Sequence, residues 1–305
     1  MYKTPGRKGP LPSGRKTFGI CSFRPEGGGF SVPWVLYPWT RNRARIGTPL
    51  FAGEGKSVEA DGIALREWLY GLTNWHQADA VLDIGCGDGG DLQRIASLAP
   101  EAARLVGVDS SAKAIEAARA ATAGDPRFAW RQHDVSSDLP FADGAFGALF
   151  SLNLLECVPD KAALLSEMGR VLRPGGQIVC AHWDWDTQTV GGTDKALVRR
   201  IVSAFSDWQQ KWMAACDGWM GRRLWPTFQR SGLFIGRIAT YTLTNTVYAP
   251  GWYGYEQVQS FGALARRGLI SADDYARFQA DITAQASRNE YFYSITLYVY
   301  VGQKI

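Results

Sequence analysis

Val81-Leu82-Asp83-Ile84-Gly85-Cys86-Gly87-Asp88-Gly89-Gly90 decides the fold of this chain. The run starts as a buried strand, ends in a glycine turn and feeds a helix starting near Asp91-Leu92. That sequence of events builds a nucleotide-binding crevice in an α/β sheet. Glycines let backbone approach a ligand, and a helix N-terminus offers unpaired N–H groups. Two spacings fit the loop. Gly85, Gly87 and Gly90 satisfy G-x-G-x-x-G, a dinucleotide pattern. Gly85, Gly87 and Gly89 satisfy G-x-G-x-G, preceded by Asp83. An acid at the strand end is a poor neighbour for a pyrophosphate and a good partner for a cationic amino group.

The downstream residues continue the alternation. Leu105-Val106-Gly107-Val108-Asp109 is a second apolar run tipped by an acid. A carboxylate there can accept both ribose hydroxyls of an adenosine. Ser110-Ser111 precede the helical stretch Ala112 to Arg119, with serine as N-cap. A third strand runs from Phe128 to Gln132, followed by His133-Asp134-Val135. A turn at Leu139 to Phe146 leads into strand four, Ala148 to Leu152, and then Asn153-Leu154-Leu155-Glu156-Cys157-Val158. Val171 to Val179 contains a Pro174-Gly175-Gly176 turn and a fifth strand.

These five motifs, in order over residues 80–183, resemble the class I S-adenosylmethionine-dependent methyltransferases. The core is most similar to their small-molecule branch, which includes ubiquinone and menaquinone methyltransferases. The resemblance implies a Rossmann-like seven-stranded α/β sheet and S-adenosyl-L-methionine as cofactor. It implies cofactor contacts from Asp83, Gly85, Cys86, Gly87, Gly89, Asp109, Ser110, His133, Asp134, Val135 and Asn153. In the family the residue matching Asp134 sits beside the adenine amine. Strand four hands on to the segment that holds methyl donor against acceptor. Cys86 reads as a small filler rather than a nucleophile.

Around this core the periodicity predicts a helix over 59–72 and helices over 193–232, where Trp208 and Trp212 are four apart. It also predicts a strand over 234–247 and two helices over 254–287. Ser271 acts as an N-cap after the break at 268–271. Tyr291 to Tyr300 is a final strand. The late strands match the closing antiparallel pair of the family's sheet, and the helices around them read as a substrate cap over about 191–290. The cofactor half spans about 60–190.

Composition is that of an ordinary globular chain of 305 residues, enough for one large α/β domain with additions. No apolar run reaches the roughly 18 residues of a membrane helix. Five scattered cysteines without C-x-x-C spacing imply reduced thiols, a cytoplasmic setting and no structural zinc. Residues 1–45 carry nine Lys/Arg against one Glu. Residues 1–30 read as a basic, flexible arm, a solvated tail rather than a nucleic-acid contact. Residues 31–305 then form the methyltransferase domain. Val32 to Trp39 is an aromatic run, either a lid over the cofactor or a segment packed on the core.

Displacement at a sulfonium methyl chiefly needs positioning. An oxygen or nitrogen acceptor also needs a general base. His182 is the first candidate, because an unperturbed histidine has a pKa of about 6.5 and this one ends strand five. Asp184, Asp186 and Glu156 are the others. Seven of twelve tryptophans follow residue 180, and Trp183 and Trp185 fall where such sheets open to ligand. The fourth-strand motif is not the Asn/Asp-Pro-Pro-Tyr type, and no obvious metal spacing occurs. The reading is methyl transfer to an oxygen, nitrogen or carbon of a small-molecule acceptor. The alternatives are a protein or RNA methyltransferase, supported only by the basic arm, and a non-methylating cofactor-binding cyclase.

Overall fold

In the computed structural model the described residues are 60–305, apart from 101 and 103. The basic arm 1–30 and the aromatic run 32–39 lie outside them.

Five parallel strands follow the expected order: β1 (Ala80–Ile84), β2 (Arg104–Asp109), β3 (Phe128–Gln132), β4 (Phe146–Leu152) and β5 (Leu172–Trp183). All five residues of β1 are buried. A strand buried on both faces reads as a continuous apolar run, and that is why Ala80 to Ile84 shows no alternation. Three more strands complete the sheet: β6 (Thr189–Val190), β7 (Phe234–Asn245) and β8 (Tyr293–Lys304). The order is β3-β2-β1-β4-β5-β8, with β7 and the two-residue β6 both antiparallel to β8. The expected seven long strands are present, and the short β6 makes an eighth.

Helices cover both faces. α1 (Ala60–Tyr70), α2 (Gly90–Leu98) and α3 (Ala112–Ala121) supply Leu69, Ile95 and Ile115 to the cluster that also takes Val81, Phe150 and Val179. The later helices α5 (Lys195–Ser206), α7 (Tyr253–Ser260), α8 (Gly262–Arg266) and α9 (Ala272–Ser287) join the same cluster through Ile201, Val258, Leu264 and Ile282. α4 (Lys161–Val171) and α6 (Met220–Ser231) cover the opposite face, where Leu165, Met168, Leu224 and Phe228 meet Leu82, Leu149 and Ile178. The two-residue period of the strands thus sends Leu82 to one layer and Val81 to the other.

Local chemistry sets the helix starts. Ser111, Asp160, Asp194 and Ser271 each accept a backbone N–H from the first turn of α3, α4, α5 and α9. α7 has no side-chain cap of its own. Asp61 on α1 instead accepts from the Tyr253 N–H and from Asn245 Nδ2 (2.7 Å), while Asn245 Oδ1 accepts from the Gly254 N–H (2.6 Å). A carboxylate on one helix thereby anchors the start of another.

Two expectations are corrected. The stretch 193–232 forms two helices separated by the irregular segment 207–219, so Trp208 and Trp212 do not share a helix face. The segment bonds across to other elements: Ala215 N–H donates to Cys157 O, and Gly218 O accepts from Trp185 N–H. Strand five begins earlier than read. Its Arg173-Pro174-Gly175-Gly176 turn is an excursion within β5, where the four residues between Leu172 and Gln177 oppose the single Gly147 between Phe146 and Ala148.

Trp130 on β3 is 6% exposed and fills the space beneath β2, its Nε1 donating to Thr122 Oγ1 (2.8 Å). A Cβ on Gly107 would overlap this ring and sit 2.8 Å from Cys86 Sγ. Gly107→Ala should therefore destabilise the fold by about 1–3 kcal/mol, the range for overpacking. Urea denaturation checks this, and adding Trp130→Leu should recover part of the loss.

Candidate active site

The loop after β1 is pinned from below. The N–H groups of Gly85 and Cys86 both donate to Val108 O (2.8 and 3.0 Å), and Gly89 N–H donates back to Cys86 O (2.9 Å). Gly85, Gly87 and Gly89 have φ of 77°, 52° and 79°. Side chains rarely adopt these values. Their surroundings differ. A Cβ on Gly85 would press on Leu154 at 3.1 Å, and one on Gly89 would overlap Trp130. A Cβ on Gly87 would meet nothing within 4 Å, so this residue faces open space. The glycine code therefore serves packing at two positions and openness at one.

Asp109 closes the loop from β2. Its Oδ2 accepts from Gly87 N–H (3.0 Å) and its Oδ1 from Ser111 N–H (2.8 Å). Each oxygen has a second lone pair for another donor. Asp83 is 1% exposed, and its Oδ2 has no hydrogen-bond partner among the described residues. Burial, and then the charges of Asp91 and Asp109, push its carboxyl well above the ordinary range. Asp91 is itself engaged by Arg66 Nε (3.0 Å) and Tyr70 Oη. A buried carboxyl beside two more acids is an environment suited to a cationic group.

The remaining loop candidates are spread along the same strand ends. Cys86 is buried, and its thiol is pushed up by burial, as befits a filler. Ser110 is exposed and its carbonyl accepts from Gln132 Nε2 (3.2 Å). His133 is half-buried; its N–H donates to Asp109 O (2.9 Å) and its ring Nε2 lies 3.4 Å from Ser137 Oγ. Asp134 is exposed, held below the carboxylate range by the Ser136 N–H (2.9 Å). Val135 is half-buried against the α4 layer. Asn153, at φ 56°, ends β4; its N–H donates to Ala181 O (2.9 Å) and its Oδ1 accepts from Trp183 N–H (3.1 Å). The order β3-β2-β1-β4 sets these residues side by side along the carboxyl edge of the sheet.

The four candidate bases have different fates. His182 is fully buried, with Nδ1 2.7 Å from Trp183 O. A carbonyl only accepts, so Nδ1 carries the proton. Nε2 has no hydrogen-bond partner, and burial lowers the imidazole to about 4. It is neutral at pH 7 and sealed from solvent. Asp184 is fully buried and gripped by Arg222, through Nε (2.5 Å), Nη2 (2.6 Å) and the backbone N–H (3.1 Å). That pair fixes α6 to the end of β5. Asp186 accepts from Trp219 Nε1 (2.8 Å). Glu156 follows β4 and is 5% exposed; it accepts from Trp185 Nε1 (2.6 Å), and burial raises it to about 7. Sequence reasoning named these residues, and Trp185 separately, but paired none of them. Trp130, Trp185 and Arg222 act through contacts 23 to 41 residues away in the chain, and no local pattern announces them.

Among the described residues no cluster of His, Cys, Asp and Glu could hold a metal ion, and no helix is long and apolar enough to cross a membrane. The sheet order, the acid-glycine loop and the acid-tipped β2 define an adenosine-cofactor α/β domain. Residues 81–176 match the family model of the methyltransferase domain. They form a class I S-adenosylmethionine-dependent methyltransferase domain. A 37.1 kDa protein of transposon TN4556 from Streptomyces fradiae is 28% identical over 225 residues, covering 74% of this chain and 62% of that protein. The 2-methyl-6-phytyl-1,4-hydroquinone methyltransferase of Synechocystis is 27% identical over 216 residues, 68% of this chain and 64% of the relative. The trans-aconitate 2-methyltransferase of Azoarcus is 39% identical over 99 residues, 32% of this chain and 37% of the relative. The chain thus spans less than two thirds of the length of each. The crystal structure of YcgJ from Bacillus subtilis shares the fold with a TM-score of 0.52 at 16% identity, over 80% of this chain and 98% of that one.

The folded chain binds the Asp83 proton more tightly than the unfolded chain does. Stability therefore falls as pH rises above the ordinary aspartate range. Asp83→Asn removes that fall. It should raise the stability of the ligand-free protein at pH 7 by about 1 kcal/mol or more. Urea denaturation of both proteins across pH 4 to 8 checks this, and parallel curves would contradict it.

Proposed function

We propose that the chain transfers a methyl group from S-adenosyl-L-methionine to a small molecule in the cytoplasm. The observation that carries the cofactor assignment is the unpartnered, buried Asp83 carboxyl. It meets the need of an ammonium group, and no phosphate would settle beside it. Asp109 holds the ribose through the lone pairs left over from Gly87 and Ser111. Gly85, Gly87 and Gly89 let the loop backbone approach the cofactor, with Cys86 filling beneath. Ser110, His133, Asp134 and Val135 border the adenine side, and Asn153 the methyl side. When bound, the cofactor supplies a methyl group already activated on a sulfonium sulfur. The protein's share is then to hold the acceptor in line and exclude water.

The stretch of about 191–290 is the substrate cap, and the irregular segment 207–219 is part of it. The half-buried rings of Trp185, Phe205, Trp208 and Tyr253 stand at the carboxyl end of β5 and give the cap an aromatic lining. The four described cysteines are free, in keeping with a reducing compartment. The relatives' names point to unlike acceptors, a hydroquinone and a tricarboxylate, and both are small molecules. His182 and Asp184 carry no share of the chemistry in this reading, since one is sealed and the other is bound by Arg222.

The test is transfer of isotope-labelled methyl from S-adenosylmethionine into a cell extract separated into small molecules, protein and RNA. Label is expected in the small-molecule fraction. Label confined to a polymer, or none at all, would overturn the reading. Asp109→Ala and Gly87→Val should each weaken cofactor binding tenfold or more in a calorimetric titration. Asp109→Ala removes the ribose acceptor, and Gly87→Val puts a branched side chain at φ 52° on the open side of the loop.

A further inference from the structure

We infer that Glu156 is the group that takes a proton from the acceptor, with Trp185 and His182 as its positioning residues. It follows that the methylated atom is an oxygen or nitrogen bearing a proton. This rests on the methyltransferase reading above.

The placement comes first. Glu156 lies in the short turn Leu155–Cys157 that follows β4. Two residues earlier, Leu154 packs against Gly85 of the cofactor loop. β4 runs between β1 and β5. The carboxyl therefore stands between the glycine loop and the mouth of β5, where such sheets open to ligand. Its two oxygens are unlike. Oε2 is held by Trp185 Nε1 at 2.6 Å, and Oε1 has no hydrogen bond among the described residues. One oxygen is fixed and the other is available. The other acids at the mouth are committed, Asp184 to Arg222 and Asp186 to Trp219.

His182 sets the back of the site. Its Nδ1 proton is spent on Trp183 O, so the Nε2 lone pair faces Glu156 Oε2 at 3.9 Å. Two acceptors face each other without a proton between them. Protonating the carboxyl at Oε1 removes its negative charge and so eases that repulsion, which favours the state reached after proton uptake.

The neighbouring charges come from every element packed on the turn. Asp217, before α6, disfavours the charged carboxylate, and Lys161 at the start of α4 favours it. Cys157 on the turn itself and Cys216 opposite are thiols pushed up by burial, so both are neutral at working pH. His182 is neutral as well. Desolvation outweighs the rest and raises Glu156 to about 7, with the Trp185 N–H pulling it back down. A base with this affinity is matched to neutral pH.

The step balances. The acceptor's X–H bond breaks and its proton goes to Glu156 Oε1. The X electron pair forms the bond to the methyl carbon, and the carbon–sulfur pair returns to sulfur. A carboxylate and a sulfonium become a carboxylic acid and a neutral thioether.

The test uses the full chain as wild type, Glu156→Gln and Trp185→Phe. Carbon-13 NMR of glutamate-labelled protein needs no acceptor. One carboxyl signal should titrate near pH 7, be absent from Glu156→Gln, and move to higher pH in Trp185→Phe. Labelled-methyl transfer into extract is the second readout. The product should be methylated on oxygen or nitrogen, and Glu156→Gln should lose a hundredfold or more with cofactor affinity unchanged. The acid limb of the pH–rate profile should move to higher pH in Trp185→Phe. A Glu156 signal titrating with the ordinary carboxylates, a carbon-methylated product, or full activity in Glu156→Gln would overturn the inference. Wild type that binds cofactor yet labels nothing would overturn the methyltransferase reading itself, and this inference with it.

Discussion

One carbonyl organises the cofactor end of this protein. Val108 O accepts from both Gly85 and Cys86, which locks the glycine loop of β1 onto the tip of β2. That lock brings Gly87 N–H within 3.0 Å of Asp109, one residue beyond Val108. It also presses the loop down on Trp130, so Gly89 and Gly107 have to be glycines. The loop conformation, the direction of the acid and the open face at Gly87 all follow from this pairing. These contacts all come from the chain's own groups, which reduces the ordering cost of binding.

Three buried acids along the same sheet edge show how surroundings assign work. Asp184 is met by a guanidinium that makes two hydrogen bonds, so it is structural. Asp83 is met by other acids and by nothing that donates to Oδ2, so its charge is suppressed until a cation arrives. Glu156 is met by one indole N–H in a dry turn, so it sits between those extremes. Chemically similar groups, all at least nine-tenths buried, are thus suited to three different tasks, a strut and the proposed cation site and base.

The core was legible because its signals are local. The central parallel strands β1, β2 and β4 are mostly apolar runs, the turns after β1 and β2 carry glycines or an acid, and the caps Ser111 and Ser271 are one residue from their helices. The residues proposed to hold the cofactor sit in the loops those signals mark. The candidate base was harder. His182 was favoured by its ordinary pKa and its place on β5, and only the fold shows it sealed beneath Glu156. The reason is burial, which sequence pattern does not report for a single polar residue. The 207–219 segment misled for another reason. Trp208 and Trp212 have helical spacing, but Ala215 and Gly218 bond to distant partners, and tertiary pairing overrides periodicity.

The most direct measurement is calorimetric titration of S-adenosylmethionine onto the full chain near neutral pH, in buffers of different ionisation enthalpy. A cation settling against Asp83 should drive off the proton that burial holds there. Binding should then release protons, seen as an enthalpy that varies with buffer, and Asp83→Asn should abolish that dependence. Cofactor binding with the same enthalpy in every buffer, or no binding at all, would contradict the cation site on which the functional assignment stands.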